Sequence, residues 1–294
     1  MRVRLVAADS MGVRSLATHV EMCGLSIAVD LSASLAPRRY GLPPHELELR
    51  ELDSSLERIR GLLQDSHVAV ITHYHYDHYL AGEPELYYGK HLLVKHPRSD
   101  INVSQRIRAH RFLVKGGIAE RARVSYADGM EYVIDGVRFR FSPPVWHGEP
   151  GTKVGKVVMV AIECDEGRVV YASDVQGPVD EEARNWLAGL GGADLLVIDG
   201  PPTYFAGYKV PREAVEDGFR GFVEVVRRLK PHVVVVDHHL ARDKAYEDIL
   251  GDLRRRVGGS SRIVSAAEFM GREPRLLEAY RRELWRGEWL PGEA

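Results

Sequence analysis

The 294 residues are 45% hydrophobic and 28% charged, the composition of a soluble globular protein able to bury a sizeable core. The formal net charge of −2 leaves no whole-protein field to draw in a polyanion. Two cysteines with no short spacing, Cys23 and Cys164, speak against a disulfide framework and a cysteine-rich zinc ribbon, and suit a reducing, cytoplasmic interior.

The N-terminal stretch lacks the long apolar core of a signal peptide, and no run approaches the about 18 apolar residues of a membrane span. Arginine greatly outnumbers lysine, and Asn and Gln are rare. That balance is found in thermophiles, though base composition produces it equally well.

In chain order, "RVRLVAA" (2–8), "ATHVEMC" (17–23) and "LSIAVDL" (25–31) read as strands, the last two joined at Gly24. "SSLERIRGLLQD" (54–65) has helical spacing, with Leu56, Ile59, Leu62 and Leu63 on one face and Ser54 or Ser55 as N-cap. The buried strand "HVAVIT" (67–72) follows. Residues 99–117 read as a basic helix. Residues 130–173 alternate strand and turn, with hairpins at Asp135-Gly136 and Glu166-Gly167. A helix near 180–190, a strand at 193–199, a long helix near 211–229 and a strand at 232–237 come next. Helices near 241–256 and 274–286 close the chain. No repeat or linker interrupts it, so residues 1–294 read as one domain, with two sheets face to face and helices outside.

One stretch, "ITHYHYDHYLAG" (71–82), carries three of the 13 histidines and an aspartate within six positions, directly after an apolar strand. His73 and His75 are two apart and can reach one ion from the same side, while Asp77 and His78 can curl toward a second. Imidazole and carboxylate without thiolate suit zinc, iron or manganese. A solvated histidine-rich loop is the bland alternative, but an apolar strand feeds straight into the cluster. Further ligand types also sit where strands end: His147 in "SPPVWHGEPG", Asp174 in "VVYASDVQG", and His238 and His239 in "VVVVDHHL". Each alone is more often structural. Four strand-end sites in one chain are far harder to reach by accident.

This pattern resembles the metallo-β-lactamase superfamily of metal-dependent hydrolases across about residues 1–265. "VDLSA" (29–33) looks like its early strand with a buried supporting aspartate, Asp30. More narrowly, "YASDVQGP", "IDGPPTY" and "VDHHL" resemble an archaeal branch of that superfamily. The resemblance implies a mixed α/β (α+β) fold, a four-layer αββα sandwich. It implies His73, His75 and His147 on a first metal and Asp77, His78 and His238 on a second, with Asp174 bridging both. His239 stays open as an alternative last ligand. Two divalent ions, zinc first with iron or manganese as alternatives, would generate a bridging hydroxide, so Asp77 and Asp174 carry the catalytic assignment. The superfamily's oxidative di-iron branch typically has glutamate where this chain has His75, which favours hydrolysis. Asp30, Asp199 and Asp237 are candidates to orient the imidazoles, with caps or turns as the equal alternative.

Substrate signals are thinner. Tyr204, Tyr208 and Lys209 in "DGPPTYFAGYKVPR" could cover a substrate, or merely belong to a Pro-rich connection. Arg106, Arg108, His110, Arg111 and Lys115 could grip phosphates, although a charged solvated face is the commoner explanation. No Walker lysine, Gly-rich dinucleotide loop or GxSxG elbow is present. The favoured expectation is a small ester, lactone, thioester or phosphoester substrate and no membrane association. A nuclease is the second reading and a non-catalytic metal- or ligand-binding protein the third, with the oligomeric state open.

Overall fold

A computed structural model describes residues 1–289. The first sheet orders six strands as in the chain: β1 (Arg2–Ala8), β2 (Leu16–Met22), β3 (Leu25–Val29), β4 (Val68–Ile71), β5 (His91–Val94) and β6 (Arg123–Tyr126). The second begins with β7 (Glu131–Ile134) and β8 (Val137–Phe141). β9 (Val145–Trp146) and β10 (Lys156–Val157) form a small antiparallel pair. β11 (Val160–Cys164), β12 (Gly167–Ala172), β13 (Leu195–Asp199), β14 (Val233–Asp237) and β15 (Arg262–Val264) complete the second sheet, in the order β15-β14-β13-β12-β11-β8-β7.

Side-chain alternation sorts the residues into layers. Val20, Ile27, Val68 and Val70 of the first sheet share one buried cluster with Phe139, Ile162, Val169 and Val197 of the second, so the sheets face each other. On the outer face of the first sheet, Ala69, Ile71 and Leu92 pack against α1 (Glu46–Asp65), α2 (Val103–His110) and α3 (Ile118–Arg121). On the outer face of the second, Val170, Leu196 and Val234 pack against α4 (Glu181–Ala188), α5 (Arg212–Leu229) and α6 (Tyr246–Val257). The result is the αββα sandwich expected from the sequence. Two short helices, α7 (Ala266–Phe269) and α8 (Arg281–Arg286), end the described chain. The unbroken apolar runs of β4 and β14 follow from burial on both faces. No described helix is long and apolar enough to cross a membrane.

Parallel pairing matters most for function. β3 to β6 run parallel, as do β12 to β15, so their C-terminal ends gather along one edge. Ligand sites in sheets of this kind form at that edge.

Several local expectations change. The first long helix begins at Glu46, eight residues before Ser54. His45 caps it, with Nδ1 accepting from Leu47 N (3.3 Å), and Glu48 reaches back to the His45 N–H (2.9 Å). This reciprocal cap overrides the serine signal, and Ser55 lies buried within the helix. The basic stretch is not one helix: α2, capped by Asn102, gives way to a wider π turn over Arg111–Lys115. A 3-10 turn, Leu240–Arg242, precedes α6, and the last helix covers only part of 274–286.

The largest correction concerns cysteine. Cys23 and Cys164 are disulfide-bonded, not free thiols. They lie 141 residues apart, a separation that gives no pairing signal, yet the fold sets their Cα atoms 6.7 Å apart. Cys23 sits in the turn before β3 and Cys164 ends β11, so the bond links the two sheets.

Candidate metal centre

The chain leaves β4 through Thr72 and turns tightly, with His78 N–H donating to His75 C=O (3.1 Å). Tyr74 points into the helix-side core, where its hydroxyl donates to Lys95 C=O (2.6 Å). Its neighbours His73 and His75 therefore face the opposite way, toward the edge between the sheets. His73 Nε2 lies 2.9 Å from His75 Nδ1, and His147 Nε2 lies 2.8 Å from Asp174 Oδ1. One donor atom from each of these four residues falls within 4.8 Å of the others.

A second group meets the same limit: Asp77, His78 and His238. The Nε2 atoms of His78 and His238 each lie 3.9 Å from an Asp77 oxygen. Asp174 sits between the groups, with Oδ2 3.0 Å from His78 Nε2 and Oδ1 3.5 Å from His238 Nε2. Buried His78 Nε2 makes no hydrogen bond despite this proximity, so it is a polar atom in need of a partner. Seven side chains from four strand ends thus offer imidazole nitrogen and carboxylate oxygen to two neighbouring points, a donor set that suits a pair of divalent transition-metal ions.

The rear nitrogens are fixed by carboxylates. Asp30 Oδ2 pairs with His78 Nδ1 (2.9 Å) and accepts from the Thr72 hydroxyl (2.5 Å), while its Oδ1 accepts from Thr72 N–H (2.8 Å). Asp199 Oδ2 pairs with His239 Nδ1 (2.8 Å) and its Oδ1 accepts from Val175 and Gln176 N–H. Asp237 behaves differently: it accepts from the backbone N–H groups of Ser10, His238 and Ala266 and orients no imidazole. The partner of His238 is Asp9, 2.8 Å from Nδ1, which the sequence reading missed. Its signal was there, since "VAAD" ends the first strand on an aspartate as "AVD" ends the third. Arg242, which also braces Asp9, was missed too.

His238 and His239 compete for one role. Their Nε2 atoms stand 3.5 and 3.7 Å from Asp174 Oδ1. Only His238 also joins Asp77 and His78, whereas His239 packs toward His147 with ring centroids 5.5 Å apart.

Charge is distributed unevenly. Burial opposes a proton on His78, but Asp174, Asp30 and Asp77 outweigh it and hold the pKa well above the imidazole range. Burial, reinforced by His147, pushes His75 down to about 3. Burial would raise Asp77, yet His78 and His238 hold it at about 2.

The backbone is shaped to match. Asp30, Asp174 and His238 hold left-handed φ values of 47°, 63° and 58°, which non-glycine residues keep only when surrounding structure enforces them. Beside His147, Gly148 has φ 83°, and a Cβ there would fall 2.3 Å from Gln176 Oε1.

The centre opens into a cleft of about 700 Å³ whose walls include His75, Asp77, His147 and Asp174, with Tyr204 and Lys209 among the other lining residues. Tyr208 is 80% exposed and does not line it. The basic segment divides. Arg108 stacks on Tyr76 (4.5 Å) at the cleft, whereas Arg106, His110, Arg111 and Lys115 line a separate groove of about 890 Å³. Asn102 is engaged structurally, capping α2 and donating to Lys153 and Val154 C=O.

Residues 47–239 match a family model described as a beta-lactamase superfamily domain. A UPF0282 protein of Aeropyrum pernix is 53% identical over 292 residues, covering 98% of this chain and 99% of its own. Two solved structures are similar in fold. A metal-dependent hydrolase of the beta-lactamase superfamily gives a TM-score of 0.53 at 14% identity, covering 90% of this chain and 95% of its own. A diphosphatase from the PhnP family gives 0.52 at 15%, covering 90% and 94%. The chain belongs to the beta-lactamase superfamily and, within it, to the UPF0282 proteins.

Proposed function

We propose that the protein is a binuclear metal-dependent hydrolase acting on a small ester, lactone, thioester or phosphoester. The observation that carries this reading is Asp174, buried between two separate donor groups with an oxygen toward each. His73, His75 and His147 would hold one ion, Asp77, His78 and His238 the other, and Asp174 would join them. With nitrogen and oxygen donors alone, zinc is the first candidate. Ions held there would supply a water ionised near neutral pH and a Lewis-acid grip on the substrate oxygen. The chain's own part is positional: Asp30 and Asp9 fix the rings of His78 and His238, and the cleft admits substrate beside His75 and Asp77.

A panel of phosphodiester, carboxyl ester, lactone and thioester substrates on metal-replete protein tests the reading. Turnover of at least one class, abolished by chelator, is expected. No turnover of any class would contradict it and leave a metal-binding protein without catalysis. A nuclease is the second reading, favoured by the cationic groove beyond the cleft. It requires cleavage of oligonucleotides to exceed that of small phosphodiesters and to fall when Arg106 and Arg111 are replaced.

A further inference from the structure

The cleft wall nearest His238 carries arginines that the metal-binding assignment does not use. Arg242 is 5% exposed. Its Nε donates to Asp9 Oδ1 (2.8 Å), and its Nη2 lies 3.2 and 3.3 Å from the two ring nitrogens of His238 and 3.9 Å from Asp77 Oδ2. Its Nη1 hydrogen-bonds no described residue, although the side chain lines the cleft. Arg14 lines the same cleft and repeats the pattern. Its Nε and Nη2 clasp Glu278 at 2.6 and 2.7 Å, and Nη1 again has no described partner. Arg39 lies behind them, donating to Arg242 C=O (3.0 Å) and stacking on Tyr204 (4.4 Å).

Arg242 is thus paired with Asp9 and stands near Asp77, Arg14 is paired with Glu278, and Asp9 is further engaged by His238 and by Ser15 N–H. A purely structural strut for Asp9 accounts for Nε and Nη2 of Arg242. The Glu278 clasp likewise accounts for Nε and Nη2 of Arg14; neither pairing uses the Nη1 of either guanidinium, and both side chains line the cleft. Neither Nη1 is a buried atom lacking a partner, and the Arg14 side chain is 24% exposed, so both edges reach the open cleft. Guanidinium N–H groups from separate segments suit an anion with oxygens in several directions. A neutral lactone or thioester offers no such charge.

We propose that Arg14 and Arg242 form an oxyanion clamp beside the Asp77–His238 group and that the substrate is an anionic phosphate ester, its phosphoryl oxygens held by the two free Nη1 edges. This rests on the hydrolase reading and narrows it to one substrate class. In the reaction, water oxygen bonds to phosphorus as the bond from phosphorus to the leaving oxygen breaks. The proton released by water ends on the leaving alcohol, so a phosphate ester and water give an alcohol and the corresponding phosphate.

Calorimetric titration of the purified protein with inorganic phosphate tests the clamp without relying on turnover. Arg14→Met is expected to weaken phosphate binding about tenfold or more, as loss of a charge-assisted contact should. Arg138→Met, on an exposed arginine outside the cleft, should leave it unchanged. Arg242→Met should match Arg14→Met; if it fails to fold because Asp9 and His238 lose their brace, Arg14→Met alone decides. Unchanged phosphate affinity in Arg14→Met overturns the clamp. So does acetate binding as tightly as phosphate, which would assign the arginines to a carboxylate. In the substrate panel, bis(p-nitrophenyl) phosphate should exceed p-nitrophenyl acetate and γ-butyrolactone. A neutral substrate turned over best overturns the proposal while hydrolase activity stands, whereas phosphate binding lost in Arg14→Met without any turnover retains the clamp and removes the hydrolase.

Discussion

Adjacent histidines with near-equal reach to Asp174 make the sharpest comparison at the residue scale. His238 alone joins Asp77 and His78, while His239 is tied to Asp199. His238→Ala should therefore lower metal content and activity far more than His239→Ala, read by metal analysis of the two purified variants. The reverse order would make His239 the ligand. The sequence resemblance assigns His238 and leaves His239 open as the alternative. "VDHH" offers two imidazoles with identical local context, and what separates them is the carboxylate behind each. Asp9 is 229 residues from His238 and Asp199 is 40 from His239, so neither partner is visible locally.

At the element scale, the loop carrying Asp174 depends on α5. A Cβ on Gly218 would fall 2.4 Å from Gln176 C=O, so this helix surface must be bare for the loop to rest on it. Helix propensity alone favours Gly218→Ala by about 1 kcal/mol. We expect the clash to prevail: thermal unfolding should show a lower Tm than wild type and metal retention should weaken, whereas a raised Tm would mean the loop is free to yield. Strands and long helices were largely legible because period-2 and period-3.6 apolar patterns report burial directly. Helix starts were less so. Ser54 and Ser55 are good caps in isolation, but His45 and Glu48 form a reciprocal one earlier. The turns at Cys23-Gly24 and Asp135-Gly136 were legible, since both pairs hold the left-handed backbone that such dipeptides favour.

Across the whole molecule, buried ion pairs couple stability to pH. Burial alone would raise Glu278, but the Arg14 hydrogen bonds and charge hold it at about 2. A depressed carboxylate stabilises the fold above its unfolded pKa and loses that contribution as pH falls through the folded value. The window thus runs from about 4.5 down to about 2, with a contribution of roughly 3 kcal/mol at neutral pH. The stability gap between wild type and Glu278→Gln, followed by denaturant unfolding, should narrow as pH drops through that window. A gap independent of pH would contradict the pairing. At this scale the αββα architecture and strand-end clustering were legible, because parallel strands gather their C-terminal ends at one edge. The disulfide and the Asp9–Arg242 brace were not, since each joins segments that only the folded chain brings together. The measurement that bears most directly on the whole account is metal content per chain after purification without chelator and reconstitution. It should give about two ions for wild type and clearly fewer for Asp174→Ala; a wild-type chain that takes up no metal would contradict the binuclear centre.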